Sequence, residues 1–138
     1  MSVLVSACRV GRNCKYNGGN NYDPKVVEFL KGKEVVEYCP EVEAGFGIPR
    51  VPMEIVEGVL TNRDGIVLDE AMRRTVQQAV EKFREMDIDC AVLKSRSPTC
   101  GVRQVYDGSF SGKLVSGQGI FARALMEAGI RVIDAEEL

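Results

Sequence analysis

An α/β fold is predicted, and three observations predict it. Short apolar runs of strand length alternate with stretches whose apolar residues recur every three or four positions, the pattern of a parallel sheet with helical crossovers. At 138 residues and 45% hydrophobic content, the chain matches one ordinary domain with an aliphatic core. No internal repeat, linker or low-complexity tract divides it, so residues 1–138 are expected to form a single domain.

The elements follow in order. Val3 to Ala7 (VLVSA) reads as a buried strand, and CRVGRNCKYNGGNNYD, rich in Gly and Asn, as a long loop after it. Asp23 as N-cap and Pro24 at the first helical position start a helix through VVEFLKG, stopped at Gly32. Glu34 to Cys39 (EVVEYC) gives the second strand. CPEVEAGFGIPRVP, with two glycines and three prolines, reads as an irregular loop. MEIVEGVLT and GIVLD flank Asn62-Arg63-Asp64-Gly65, whose Asp-Gly pair predicts the turn of a small β-hairpin. Asp69 caps the clearest helix, with Met72, Val76, Ala79, Val80 and Phe83 on one core-facing side. Cys90 to Leu93 (CAVL) is the third strand, and RQVYDGSFSGKLVSGQG a second long loop with little periodicity. Gly117-Gln118-Gly119 leads into the helix IFARALMEAG, and Ile130 to Ile133 (IRVI) is the last strand. Together these make a Rossmann-like three-layer fold: a mostly parallel sheet of about four strands plus a small β-hairpin.

Eighteen Lys and Arg against 20 Asp and Glu leave a net charge of −2, too small to recruit nucleic acid or an anionic membrane by itself. The opening MSVLVSACRVG has no positive n-region, and its apolar run is too short for a signal or a membrane span, so a cytoplasmic location is expected. In that reducing compartment five cysteines point to metal binding or catalysis rather than a disulfide framework. There is no histidine, which removes the commonest neutral base and the commonest nitrogen ligand.

Loops leaving the C-terminal ends of parallel strands gather along one sheet edge. Cys8 follows the first strand, Cys39 the second and Cys100 the third, so all three can converge there. Cys14, in the first loop, can join them, while Cys90 inside a strand reads as a small buried hydrophobe. Three thiolates without histidine suit a soft metal or an iron–sulfur cluster over magnesium or calcium. Zinc is the rival, although the Cys-x-x-Cys knuckles of structural zinc sites are absent. The alternative is a set of unrelated buried thiols, free Cys being among the most buried residue types. Spacing alone leaves these open.

The strings SACRVGRNCKYNGG, CPEVEAGFGIPR, LKSRSPTCG and YDGSFSG, with the closing GQGIFARAL, run in order through nearly the whole chain. In them the sequence resembles the TudS family, the 2-thiouracil desulfidases first catalogued as a domain of unknown function. The resemblance implies a 4Fe-4S cluster held by three cysteines, Cys8, Cys39 and Cys100, with one iron open to take sulfur from a small thiolated pyrimidine. Cys14 is the reserve ligand, and a four-cysteine cluster would be closed. The family-matched catalytic residues are Glu41 as base and Ser97 as the hydroxyl that orients substrate or relays a proton.

Each has a plainer alternative. Glu41 can be a solvated loop carboxylate, with Glu43 its near neighbour, and Ser97 a turn serine bonding its own backbone ahead of Pro98. Lys94, Ser95 and Arg96 can supply polar contacts, although Arg96 serves equally as a surface charge. Asp107 can shape the pocket wall, with Tyr106 or Phe110 stacking on a base. The Gly117-Gln118-Gly119 amides can face an anion, but the dinucleotide fingerprint is missing.

Three further readings compete with desulfuration of a free base. One is desulfuration of thiouridine in tRNA, helped by Arg9, Arg12 and Lys15 in the first loop. Another is a non-catalytic zinc or iron–sulfur binding domain. The last is a Cys100 nucleophile passing through a persulfide, with activity that needs no iron.

Overall fold

The computed structural model describes residues 2–138. Along the chain run β1 (Ser2–Ser6), α1 (Pro24–Leu30), β2 (Glu34–Tyr38), α2 (Pro40–Glu43), β3 (Met53–Val56), β4 (Val59–Asn62) and α3 (Asp69–Glu85). Then come β5 (Ile88–Leu93), β6 (Gln104–Tyr106), β7 (Leu114–Ser116), α4 (Ile120–Glu127) and β8 (Val132–Asp134). Short 3-10 turns occupy Ala7–Val10 and Ala135–Glu137.

Four strands form one sheet in the order β2-β1-β5-β8, every neighbouring pair parallel, as the alternation of elements predicts. The central strands are apolar on both faces because helices cover both. On one face Val3, Val5, Cys90 and Val92 pack with Val26 and Leu30 of α1. On the other, Leu4, Ala91 and Leu93 meet Met72, Val76, Ala79 and Phe83 of α3 and Phe121 and Leu125 of α4. The two-residue period of the strands thus sorts neighbouring side chains into two cores. Tyr38, at the end of β2, stacks edge-on against Phe83 at 5.3 Å and lies 5.2 Å from Phe121. Each large side chain fully buried here contributes roughly 1.5–3 kcal/mol by leaving water.

Helix α1 starts as its sequence dictates: Asp23 Oδ1 accepts from the Lys25 amide at 3.0 Å, with Pro24 in the first position. Four other elements differ from expectation. The hairpin pairs β3 with β4 through Glu57-Gly58, both in the left-handed region (φ 49° and 81°), the pairing a two-residue turn needs. The expected Asp64-Gly65 turn is also present: it closes a short antiparallel bridge between Thr61 and Val67, with Asn62 Oδ1 accepting from the amides of Asp64 and Ile66. Asp69 sits inside α3 rather than capping it, because its Oδ1 accepts from the Leu60 amide (3.0 Å) and Oδ2 from Arg73 (2.7 Å). The expected loops at Cys39–Pro52 and Arg103–Gly119 contain, respectively, the short helix α2 and the β6–β7 hairpin.

Because β1, β2 and β5 are parallel, the segments that leave their C-terminal ends, 7–23, 39–52 and 94–103, meet at one rim. Among the described residues, no helix is long and apolar enough to cross a membrane.

Candidate active site

The first cysteine loop is wound tightly onto β1. After the 3-10 turn that carries Cys8, Gly11 adopts φ 98°. The Asn21 amide then returns to the Cys8 carbonyl at 3.0 Å, and Asn21 Nδ2 reaches the Cys8 sulfur at 3.5 Å. Cys39 is the N-cap residue of α2, placed by Pro40 at the first helical position.

Cys100 is held by α4. The amides of Ile120 and Phe121 donate to the carbonyls of Pro98 and Thr99 at 3.1 and 2.8 Å, and the Gly119 amide donates to Gly101 at 2.8 Å. A Cβ on Gly119 would lie 2.4 Å from the Thr99 carbonyl carbon, and one on Gly101 2.7 Å from the Ser97 oxygen. Those glycines let the two segments touch. The α4 amides therefore serve the Cys100 corner, and the Gly117-Gln118-Gly119 segment offers no anion site.

Cys8, Cys14, Cys39 and Cys100 all line one cavity of about 580 Å³. Cys8 and Cys14 are buried together, with Cys39 packed against them. Hydrogen bonding from the Cys14 thiol is the largest influence on both neighbours, holding Cys8 and Cys39 below the ordinary thiol range although burial opposes it. Asn21, Lys94 and Arg9 act in the same direction on Cys8. Cys14 itself, hydrogen-bonded to Cys39 and Cys8, is driven up and keeps its proton. Burial pushes the Cys100 thiol up to about 12. Cys90 is buried inside β5, among the apolar side chains of the α1 face.

The donor set is soft and free of histidine, which fits an iron–sulfur cluster. Among the described residues, no group of three or more Cys, Asp or Glu surrounds a point that would hold one metal ion.

Glu41, from the first turn of α2, lines the same cavity with its side chain 13% exposed. Arg50 Nε donates to its Oε1 at 2.8 Å, and the Thr99 hydroxyl to its Oε2 at 3.0 Å. Arg50 is pinned in turn by the carbonyls of Cys14 (2.8 Å) and Gly47 (3.0 Å). Glu43 points elsewhere, lining a separate depression with Arg12 and Glu37. The two glutamates, neighbours in sequence, are thereby distinguished.

Ser97 is buried beside Cys100 and lines the cavity. Its Oγ accepts from the Thr99 and Cys100 amides, both at 3.1 Å, and lies 2.9 Å from Thr99 Oγ1. Ser97 thus makes the bonds of a turn serine and also lines the cavity. Lys94 lines the cavity, with its amide on Ser6 Oγ. Ser95 hydrogen-bonds Asp134, and Arg96 makes a two-pronged pair with Glu136 at 2.6 and 2.7 Å. Tyr106 and Phe110 line the cavity, whereas Asp107 lies outside it and accepts from Ser109.

Arg50 and Thr99 escaped the sequence reading. Both stand inside the motif strings CPEVEAGFGIPR and LKSRSPTCG, but neither motif says that they meet Glu41. Arg9, which also lines the cavity, has a buried Nε without a hydrogen-bond partner.

Comparison with known proteins gives one answer. A model described as 2-thiouracil desulfurase matches residues 3–137. The uncharacterized protein YbbK of Bacillus subtilis (strain 168) is 34% identical over 146 residues, covering 99% of this chain and 97% of YbbK. A solved structure, the 4Fe-4S-dependent thiouracil desulfidase TudS, superposes with a TM-score of 0.90 at 28% identity, covering 99% of this chain and 92% of that one. The chain belongs to the 2-thiouracil desulfurase family, the family its cysteine loops resemble.

Proposed function

We propose that this chain is a 4Fe-4S-dependent desulfidase that converts 2-thiouracil or a related thiolated nucleobase to the oxo-pyrimidine and sulfide. The observation that carries the reading is the gathering of four thiols from three separate loops around one cavity that also holds Glu41. The overall reaction exchanges sulfur for the oxygen of one water, so no electrons are gained or lost.

Cys8, Cys39 and Cys100 would hold the cluster, and its open iron would supply a Lewis acid that accepts the departing sulfur. The protein does the remaining work. Cys14, keeping its proton, leaves Cys8 and Cys39 the thiolate character that ligation requires. Glu41 takes a proton from the attacking water, Arg50 holding the carboxylate in place. Ser97, buried beside Cys100 in the cavity lining, would orient the pyrimidine ring while its hydroxyl stays bonded to Thr99. Tyr106 and Phe110 offer faces for the base.

A free base suits this chain better than thiouridine in tRNA. Arg9 is paired with Asp23 at 3.6 Å and Arg12 with Glu37 at 2.6 Å, so two of the three first-loop cations are already neutralised. A buried thiol raised to about 12 is also a poor attacking nucleophile, which disfavours the Cys100 persulfide route. We assign the whole chain to one domain working in the cytoplasm, where its five thiols stay reduced.

Anaerobic reconstitution with iron and sulfide tests the reading. A brown protein with about four irons per chain that releases sulfide from 2-thiouracil supports it. A colourless zinc protein that releases none supports the non-catalytic binding domain instead.

A further inference from the structure

We propose that Thr99 is a positioning residue of this site: its buried hydroxyl ties Ser97 to Glu41 and sets the direction of both. The inference rests on the desulfidase reading. Thr99 is 1% exposed, and its Oγ1 lies 3.0 Å from Glu41 Oε2 and 2.9 Å from Ser97 Oγ.

A hydroxyl has one hydrogen to give, and a carboxylate offers only lone pairs. Thr99 therefore donates to Glu41, and the hydrogen between the two hydroxyls comes from Ser97. Ser97 Oγ at the same time accepts the amides of Thr99 and Cys100, so its acceptor capacity is filled and its own hydrogen is directed at Thr99. The chain runs one way, from Ser97 through Thr99 to Glu41.

Glu41 is gripped at both oxygens by groups far apart in sequence. Arg50 comes from the loop after α2, and Thr99 from the corner that bears Cys100. The second grip joins the carboxylate on α2 to the segment that bears Cys100. Packing does not call for this hydroxyl, since valine has the same shape. Burying a hydroxyl is unfavourable unless it is hydrogen-bonded, and here its partners, Glu41 Oε2, Ser97 Oγ and the Cys100 sulfur at 3.8 Å, all belong to the site.

The test compares Thr99→Val, which keeps shape and loses the hydroxyl, with Thr99→Ser, which keeps the hydroxyl. Each reconstituted protein is assayed for iron content, visible spectrum, kcat and KM on 2-thiouracil, and uracil affinity by calorimetry. We expect Thr99→Ser to stay within about threefold of the wild type in kcat. In Thr99→Val we expect kcat to fall about tenfold to a hundredfold, the cost of a misplaced catalytic group. Iron content, KM and uracil affinity should stay within about threefold in both, and Thr99→Val should add little to Glu41→Gln. Wild-type kcat in Thr99→Val overturns the proposal. So does a Thr99→Ser as impaired as Thr99→Val, or a Thr99→Val that loses its cluster, which would make Thr99 a support of Cys100 alone. A wild-type protein that holds iron and releases no sulfide is a different result, because it removes the desulfidase reading itself.

Discussion

Glu41 is the proposed base, and its surroundings say how that role would fail. Glu41→Gln keeps the shape and the hydrogen bond from Thr99 but cannot take a proton. Loss of a general base costs about a hundredfold to ten-thousandfold in rate. We therefore expect kcat to drop by at least about a hundredfold, with iron content unchanged. The cysteines should separate by role. Cys8→Ser, Cys39→Ser and Cys100→Ser should each lower iron content well below the wild type, whereas Cys14→Ser should keep it. In cluster-free protein the Cys14 thiol holds its two neighbours below the usual thiol range, so more of each is thiolate at a given pH. Removing that thiol in Cys14→Ala raises them again. The pH at which Cys8 and Cys39 begin to alkylate, read by mass spectrometry, should move upward in that variant, and an unmoved onset would refute the assignment. The sequence placed these cysteines at one rim, but their spacing left zinc, an iron–sulfur cluster and unrelated thiols open, and only the family resemblance chose among them. The partners of Glu41 were not legible, because Arg50 and Thr99 reach it only after the chain has folded, nine and 58 residues away.

Among the elements, the contact between the Cys100 corner and the N-terminus of α4 does most to place the site. Gly119→Ala puts a methyl group against the Thr99 backbone, where no flexible side chain can yield. We expect a loss of roughly 1–3 kcal/mol in unfolding free energy, visible in denaturant titration, together with reduced iron retention as Cys100 shifts. Unchanged stability and iron content would contradict that picture. The elements that escaped the sequence share one cause. Strands β6 and β7 have three residues each, too few for a two-residue alternation to show. Helix α2 is a single turn among prolines and glycines. Asp64-Gly65 closes a short antiparallel bridge as its composition suggests, but the longer hairpin turns at Glu57-Gly58, a pairing that leaves Met53 and Leu60 buried in the core.

At the scale of the whole molecule, the parallel order β2-β1-β5-β8 explains why residues more than thirty positions apart share a cavity. The parallel sheet was legible, because buried strands alternating with amphipathic helices imply right-handed crossovers, but the order of its strands was not read from the sequence. The family match, residues 3–137, spans almost all of this chain. The charge distribution belongs to this scale too. A chain of net charge −2 whose first-loop arginines are paired should bind tRNA weakly, and its activity on a free thiolated base should depend little on salt between 50 and 200 mM, the range over which phosphate binding collapses. The central claim is that sulfur leaves the pyrimidine only where iron is held by these thiols. The direct measurement is the amount of sulfide and uracil formed from 2-thiouracil by reconstituted protein without added reductant, beside the same protein stripped of iron. Equal amounts of the two products from the iron-loaded protein and neither from the stripped one is the predicted result. Turnover that survives removal of the iron, or sulfide that appears without uracil, would contradict it.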